Sequence, residues 1–165
     1  MLSAIDIDRT LSRKHLMQTL EIIWQDNFSD IARINRVEIA YCQPWKRRLG
    51  LIRLSLDGTK SFIGINALLQ LQEVPDYVLL TTVAHELAHY AHGFGSPLPR
   101  IFDHPHANNI VERELKKRGL GELAQKCDDW IDKQWFPFYD MQRETGWIGI
   151  SHTTRSIHQH MLGMP

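Results

Sequence analysis

The chain has 165 residues, enough for one domain with a substantial core. Lys plus Arg (19) equals Asp plus Glu (19), so no global field draws the protein onto nucleic acid or a membrane. Cys42 and Cys127 stand alone, which excludes a four-cysteine zinc ribbon and speaks against a disulfide framework. The first residues carry early acids and no long apolar stretch, so no signal peptide is expected. No segment reaches the ~20 apolar residues of a membrane-spanning helix, and a cytoplasmic protein is expected.

In chain order, Ser12 to Phe28 reads as an amphipathic helix with Leu16, Leu20, Ile23, Trp24 and Asn27 on one stripe, capped by Thr10 or Ser12. Val37, Ile39 and Tyr41 then alternate with Glu38, Ala40 and Cys42, the pattern of a strand. A second strand is expected over Leu51–Leu56 and a third over Ser61–Ile65, joined by an Asp57-Gly58 hairpin turn and therefore antiparallel. Lys46-Arg47-Arg48 is a basic cluster between the first two strands. Asn66–Leu71 suggests a short helix, and Pro75 suits the first turn of a longer one that stops near Gly93-Phe94-Gly95.

The loop from Gly93 to Asp103 has no periodicity and reads as a connection or a lid. A further helix is expected to open at Asp103-His104-Pro105-His106, with Asp103 or His104 as cap and Pro105 in its first turn. Ala107, Ile110, Val111 and Leu115 form its apolar face, and Gly119 closes it. Glu122–Trp135 reads as the next helix, followed by the aromatic run Trp135-Phe136-Pro137-Phe138-Tyr139. A tail from Gly146 to Pro165 holds His152, His158 and His160, read as exposed, with a second metal site as the other option.

The chemistry concentrates in His85-Glu86-Leu87-Ala88-His89, an H-E-x-x-H within an almost wholly apolar run. Residues four apart on a helix are about 40° apart around the axis, so both imidazoles can close on one Zn²⁺. Glu86 is displaced by about 100° from His85, too far for an easy ligand but near enough to take a proton from a zinc-activated water. Three polar side chains on a buried helix need partners, and a metal serves all of them. Catalytic zinc takes three protein ligands, so a third is sought. His106, in the first turn of the downstream helix and facing its core edge, is the first choice. Glu112, giving a His₂Glu set, and His104 are the alternatives. His92 would crowd along the same helix face, and Gly95 stands where a metzincin needs histidine.

With these residues in view, the chain resembles the SprT-like (Spartan-related) zinc metallopeptidase family. The similar stretch runs from about residue 37 to 120. It comprises the β segment, Ile63-Gly64-Ile65-Asn66-Ala67-Leu68-Leu69, the run into His85-Glu86-Leu87-Ala88-His89-Tyr90, and His106-Ala107-Asn108-Asn109-Ile110. The resemblance implies an α+β zincin-like fold, a small three-stranded sheet packed on a central H-E-x-x-H helix with further helices. It implies His85, His89 and His106 as zinc ligands, Glu86 as general base, and proteolysis, in some relatives of proteins bound to DNA. Ala107 stands where the family has glycine and Ile110 where it has an aromatic residue.

The expectation is one metallopeptidase domain over residues 1–165, with a catalytic core at about 37–120 and a helix and tail over 121–165. Its partner would be a protein or peptide substrate, met along a free strand edge, with weak DNA contact through Lys46, Arg47, Arg48, Arg113, Lys116, Lys117 and Arg118. The contrasting class is a catalytically silent zinc-binding module that binds a protein or nucleic-acid partner. Glu86 separates the two, because zinc binding alone has no use for that carboxylate.

Overall fold

A computed structural model describes residues 4–146 and 148 of the chain; His152, His158 and His160 lie outside the described residues. The fold is α+β. Helix α1 (Ala4–Asn27) leads into strands β1 (Arg36–Tyr41), β2 (Gly50–Leu54) and β3 (Lys60–Ile65). A 3₁₀ turn (Ala67–Gln70) precedes α2 (Asp76–Ala91), and a second (Ala107–Asn109) precedes α3 (Ile110–Lys117). Helix α4 (Gly121–Trp130), a π turn (Ile131–Trp135) and α5 (Phe136–Glu144) follow. The chain divides into two compact units, before and after the Cys127–Asp128 bond. Among the described residues, no helix is long and apolar enough to cross a membrane.

The three strands form one mixed sheet in the order β1-β3-β2. β2 and β3 are antiparallel, as the turn chemistry between them requires. Asp57 Oδ1 accepts from Ser55 Oγ (2.6 Å), Thr59 N (3.1 Å) and Thr59 Oγ1 (2.8 Å), and Gly58 takes φ +71°. These bonds to the carboxylate hold the Asp57 pKa down at about 2. β2 is shorter than expected. It ends at Leu54, and Leu56 projects fully exposed from the hairpin. β1 pairs with β3 in parallel, so the connection over 42–49 carries the chain across to the far edge. That leaves β3 in the centre and both β1 and β2 as edges.

Asn66 holds that connection in place. It is fully buried, its Nδ2 donates to the Trp45 and Arg48 carbonyls (both 2.7 Å), and its Oδ1 caps the 3₁₀ turn by accepting from Leu68 N (3.0 Å). One side chain thus fixes the approach to β2 and the exit from β3.

One face of the sheet is buried, through Val37, Ile39, Ser61, Ile63 and Ile65, as period-two alternation demands. α1 packs on β1 and on α2, and α2 packs on β2, β3 and α3. From α1 come Leu16, Leu20, Ile23, Trp24 and Phe28, the expected stripe. Asn27, on the same stripe, donates from Nδ2 to the Arg118 carbonyl (3.0 Å). The helix starts eight residues earlier than expected, so Thr10 and Ser12 are interior residues and neither caps it. From α2, Val78, Val83, Leu87 and Tyr90 fill the centre. The Tyr90 hydroxyl donates to Asn35 Oδ1 (2.9 Å) and accepts from Ile34 N (3.2 Å), which closes the chain between α1 and β1 against α2.

In the second unit, the aromatic run begins in the π turn and continues along α5. Pro137 sits at the start of α5 and offers no N–H to the turn behind it, and the π turn at Ile131–Trp135 accommodates that loss. Trp135 packs with Phe138 (5.9 Å between ring centroids) and Tyr139 (6.3 Å), and Trp130 with Phe138 (6.1 Å).

Asn66→Ala removes two donors and an acceptor from buried backbone partners, at a cost on the order of 3 kcal/mol. Urea unfolding of the variant measures it. A loss below about 1 kcal/mol would mean that water replaces the side chain without penalty.

Candidate metal centre

α2 is the element on which the site is built. Its apolar run buries twelve of its sixteen residues, including Glu86 and His89. Pro75 is its N-cap and not a first-turn residue. The helix ends one turn after His89. His92 is the C-cap, Gly93 takes φ +81°, Gly93 N bonds to the Tyr90 carbonyl (3.1 Å), and Phe94 N bonds to the His89 carbonyl (2.9 Å). This is the Schellman arrangement, and it requires glycine at position 93. A Cβ there would also meet the Pro99 carbonyl oxygen at 2.5 Å.

The chain beyond is anchored at its base. Ser96 Oγ donates to the Tyr90 carbonyl (2.6 Å), Ser61 Oγ donates to the Gly95 carbonyl (2.7 Å), and Ile101 N bonds to the His92 carbonyl (3.1 Å). Phe94 packs edge-on against His89 at 6.3 Å, with the Arg100 guanidinium over its ring at 4.8 Å. The connection therefore returns the chain over α2 and is tied down where it does so.

No helix opens at Asp103 or His104. His106 precedes the 3₁₀ turn, and α3 starts at Ile110 with Asn109 as its N-cap. The first-turn placement of His106 and of Pro105 is therefore corrected. Asn108 and Asn109 take left-handed backbone conformations that interrupt any helix between them and His106. His106 nonetheless lies beside the two helical histidines. The possible ligand atoms of His85, His89 and His106 all fall within 4.8 Å of one another. The Nε2 atoms of His85 and His89 are 3.1 Å apart, and the His106 ring is 5.5 Å and 4.7 Å from theirs between centroids. With Zn–N near 2.05 Å, two nitrogens of a tetrahedral site sit about 3.3 Å apart, so the pair is close to a ligand edge.

The electrostatics suit a cation. Burial, with the neighbouring histidines, pushes the pKa of His85 down to about 4 and that of His89 down to about 3. Both are neutral at pH 7, the form in which imidazole binds a metal. Glu112 raises the His85 value by its charge, but neither Glu112 nor His104 belongs to the cluster. His89 Nδ1 is buried without a hydrogen-bond partner, so the second hydrogen bond that commonly orients a ligating imidazole is missing there. His92 is turned away from the cluster. Its Nε2 meets Glu114 Oε2 at 3.2 Å, and Glu114 in turn accepts from Arg118 Nε (2.7 Å).

Glu86 is 4% exposed, and burial pushes its pKa up to about 8, with Arg48 pulling the other way. Its carboxyl lies against β2. A Cβ placed on Gly50 would meet Glu86 Oε1 at 2.7 Å and Thr82 Cγ2 at 2.8 Å. Glycine at position 50 thus lets the edge strand approach the carboxyl, a role that alternation alone did not reveal. Asn108-Asn109 was missed as well. Adjacent asparagines are the non-glycine pair most at ease in a left-handed turn, and that signal stood in the sequence.

No protein-family model, curated protein or solved structure matches the chain.

The buried groups fix a pH profile for the metal-free protein. Below about 6.5 the unfolded chain takes up protons at His85 and His89 that the folded chain refuses, so acid favours unfolding. Between 4.5 and about 8 the folded Glu86 keeps a proton that the unfolded carboxyl has lost, so rising pH favours unfolding. Two protons against one make stability rise from 4.5 to 6.5, and the single carboxyl makes it fall from 6.5 to 8. Urea unfolding in the presence of a chelator should show this maximum near pH 6.5. A profile that climbs steadily to pH 8 would contradict the buried carboxyl.

Proposed function

We propose that the chain is a cytoplasmic zinc-dependent metallopeptidase whose zinc is held by His85, His89 and His106 and whose general base is Glu86. The observation that carries this is the meeting of three imidazoles, two of them neutral by burial; Glu86, buried on the same helix next to His85 in sequence, is the carboxyl the reading assigns to the chemistry. Imidazole nitrogens in threes, with a position left open, suit zinc in hydrolysis. The resemblance to the SprT-like family supports the same assignment.

When bound, the zinc supplies Lewis-acid polarisation of the scissile carbonyl and an acidified water. Glu86 takes the proton from the attacking water and returns it to the departing nitrogen. In the metal-free protein burial raises the Glu86 pKa to about 8, so this role requires the ionised form that a nearby cation would favour. β2 offers the substrate a place to lie. The Leu49 carbonyl accepts from Asn66 N (2.7 Å) and Ser55 N donates to the Lys60 carbonyl (2.8 Å). Odd-numbered residues of this strand thus bond to β3, and Gly50, Ile52 and Leu54 turn their N–H and C=O groups to the free edge. An extended peptide pairing there runs past Gly50 and so past Glu86. Main-chain pairing gives loose sequence preference, so unfolded or extended protein segments are the substrate class.

The DNA contact is narrower than the sequence suggested. Arg118 is bound to Asp30 and Glu114, with its side chain 7% exposed, and is withdrawn from the basic set. The weak, salt-sensitive contact would then fall to Lys46, Arg47 and Arg48 between β1 and β2, engaged or not within the fold, and to Arg113, Lys116 and Lys117 on α3.

Glu86→Gln should keep zinc and lose ~10²-fold or more of its peptide hydrolysis. The assay is degradation of an unfolded protein by zinc-loaded enzyme, with and without single-stranded DNA, at low and near-physiological salt. Cleavage without DNA marks a general peptidase, and cleavage only with DNA marks one directed to DNA-bound protein. No cleavage in any condition would leave a zinc-binding module without catalysis.

Gly50→Ala probes the strand. The new methyl presses on both the Glu86 carboxyl and the buried Thr82 methyl, so kcat should fall by about tenfold or more, with circular dichroism and urea unfolding checking that the variant folds. Parent-like turnover in this variant would separate β2 from the chemistry.

A further inference from the structure

Between His106 and α3 the chain passes through Asn108 (φ 51°, ψ 37°) and Asn109 (φ 54°, ψ 37°). Among the described residues these are the only non-glycine positions with positive φ. The Ile110 N–H bonds back to the Ala107 carbonyl. Ala107–Ile110 is therefore a four-residue turn with both central residues left-handed, a conformation that most side chains resist and that asparagine tolerates.

Outside the turn, this segment is held by few contacts, among them Phe102 edge-on against His92 (5.0 Å between ring centroids). No residue from Ile101 to Asn109 is buried. Its upstream end is held by the Ile101 N to His92 carbonyl bond, and its downstream end by Ile110 and Val111 in the core. In between, Ala107 N bonds to the His104 carbonyl at 3.3 Å. Beyond its ring contacts with His85 and His89, the place of His106 thus depends on the backbone of the turn and not on burial in the core.

We propose that Asn108 and Asn109 are positioning residues for the metal: their left-handed turn holds His106 against His85 and His89 before an ion arrives. The proposal rests on the three histidines binding zinc. Because the turn buries nothing, relaxing it loses no core contact. Residues that disfavour left-handed backbone would let the turn relax in the metal-free protein and would require it to be rebuilt on binding. The effect then falls on metal affinity and leaves metal-free stability nearly unchanged.

The test measures Zn²⁺ affinity by competition with a chromophoric chelator, alongside urea unfolding of the metal-free protein. It compares the parent, the double variant Asn108→Ala/Asn109→Ala, and the double variant Asn108→Gly/Asn109→Gly. The alanine pair should bind Zn²⁺ about 10- to 100-fold more weakly, with an unfolding midpoint close to the parent's. The glycine pair, free to adopt the turn, should stay within about fivefold of the parent. If the alanine pair does not fold, the single variants Asn108→Ala and Asn109→Ala should each show a smaller loss of affinity. Parent-like affinity in the alanine variants overturns the proposal, as does a loss of metal-free stability without a loss of affinity. A parent that binds no Zn²⁺ overturns the metal centre itself, and this proposal with it.

Discussion

Glu86 and His89 are 4% and 5% exposed on the central helix of the fold, and the half-buried His85 lies one turn before His89. Burying a carboxyl and two imidazoles side by side is unfavourable unless each is neutral or bound. The protein meets this constraint by protonation at Glu86 and deprotonation at the histidines, which leaves two ring nitrogens 3.1 Å apart facing each other. The two facing nitrogens can share one proton in a hydrogen bond, and with His106 they lie close enough together to bind a metal ion.

Much of the remaining structure serves to hold α2 in place. α1 and the sheet cover its apolar faces, and Tyr90 ties it to the residues before β1. Its end is fixed by Gly93 and Phe94, so the His89 backbone takes part in the cap one turn from its own side chain. Asp30, Arg118, Glu114 and His92 form a chain of ion pairs and hydrogen bonds that joins the end of α1, α3 and the end of α2. Against this rigid frame, the turn that carries His106 is exposed and shaped by its own backbone. β2 closes the other side, where Gly50 leaves room for Glu86.

The helical pair and its carboxyl were legible because their spacing is a property of the α-helix itself. The stripe on α1, the Asp57-Gly58 hairpin and the glycine that ends α2 were legible for the same reason: each follows from local periodicity or from a φ that only certain residues accept. The parallel pairing of β1 with β3 was not legible, since period-two alternation reads the same in either direction. It depends on the long-range crossing of the 42–49 connection, which Asn66 holds at the Trp45 and Arg48 carbonyls. The start of α1 was misplaced because Thr10 and Ser12 look like caps although the helix runs through them. At the site, His106 was named for a helix that does not exist there. Its apolar neighbours Ile110 and Val111 do belong to a helix, and the two asparagines that separate them from His106 were not weighed as a turn.

The most direct test of the three-histidine centre is zinc K-edge X-ray absorption of the zinc-loaded protein and of His106→Ala. The account predicts a four-coordinate site of nitrogen and oxygen ligands at about 2.0–2.1 Å, with outer-shell scattering from three imidazoles in the parent and two in the variant. A sulfur ligand near 2.3 Å, or an imidazole count unchanged by the loss of His106, would contradict it.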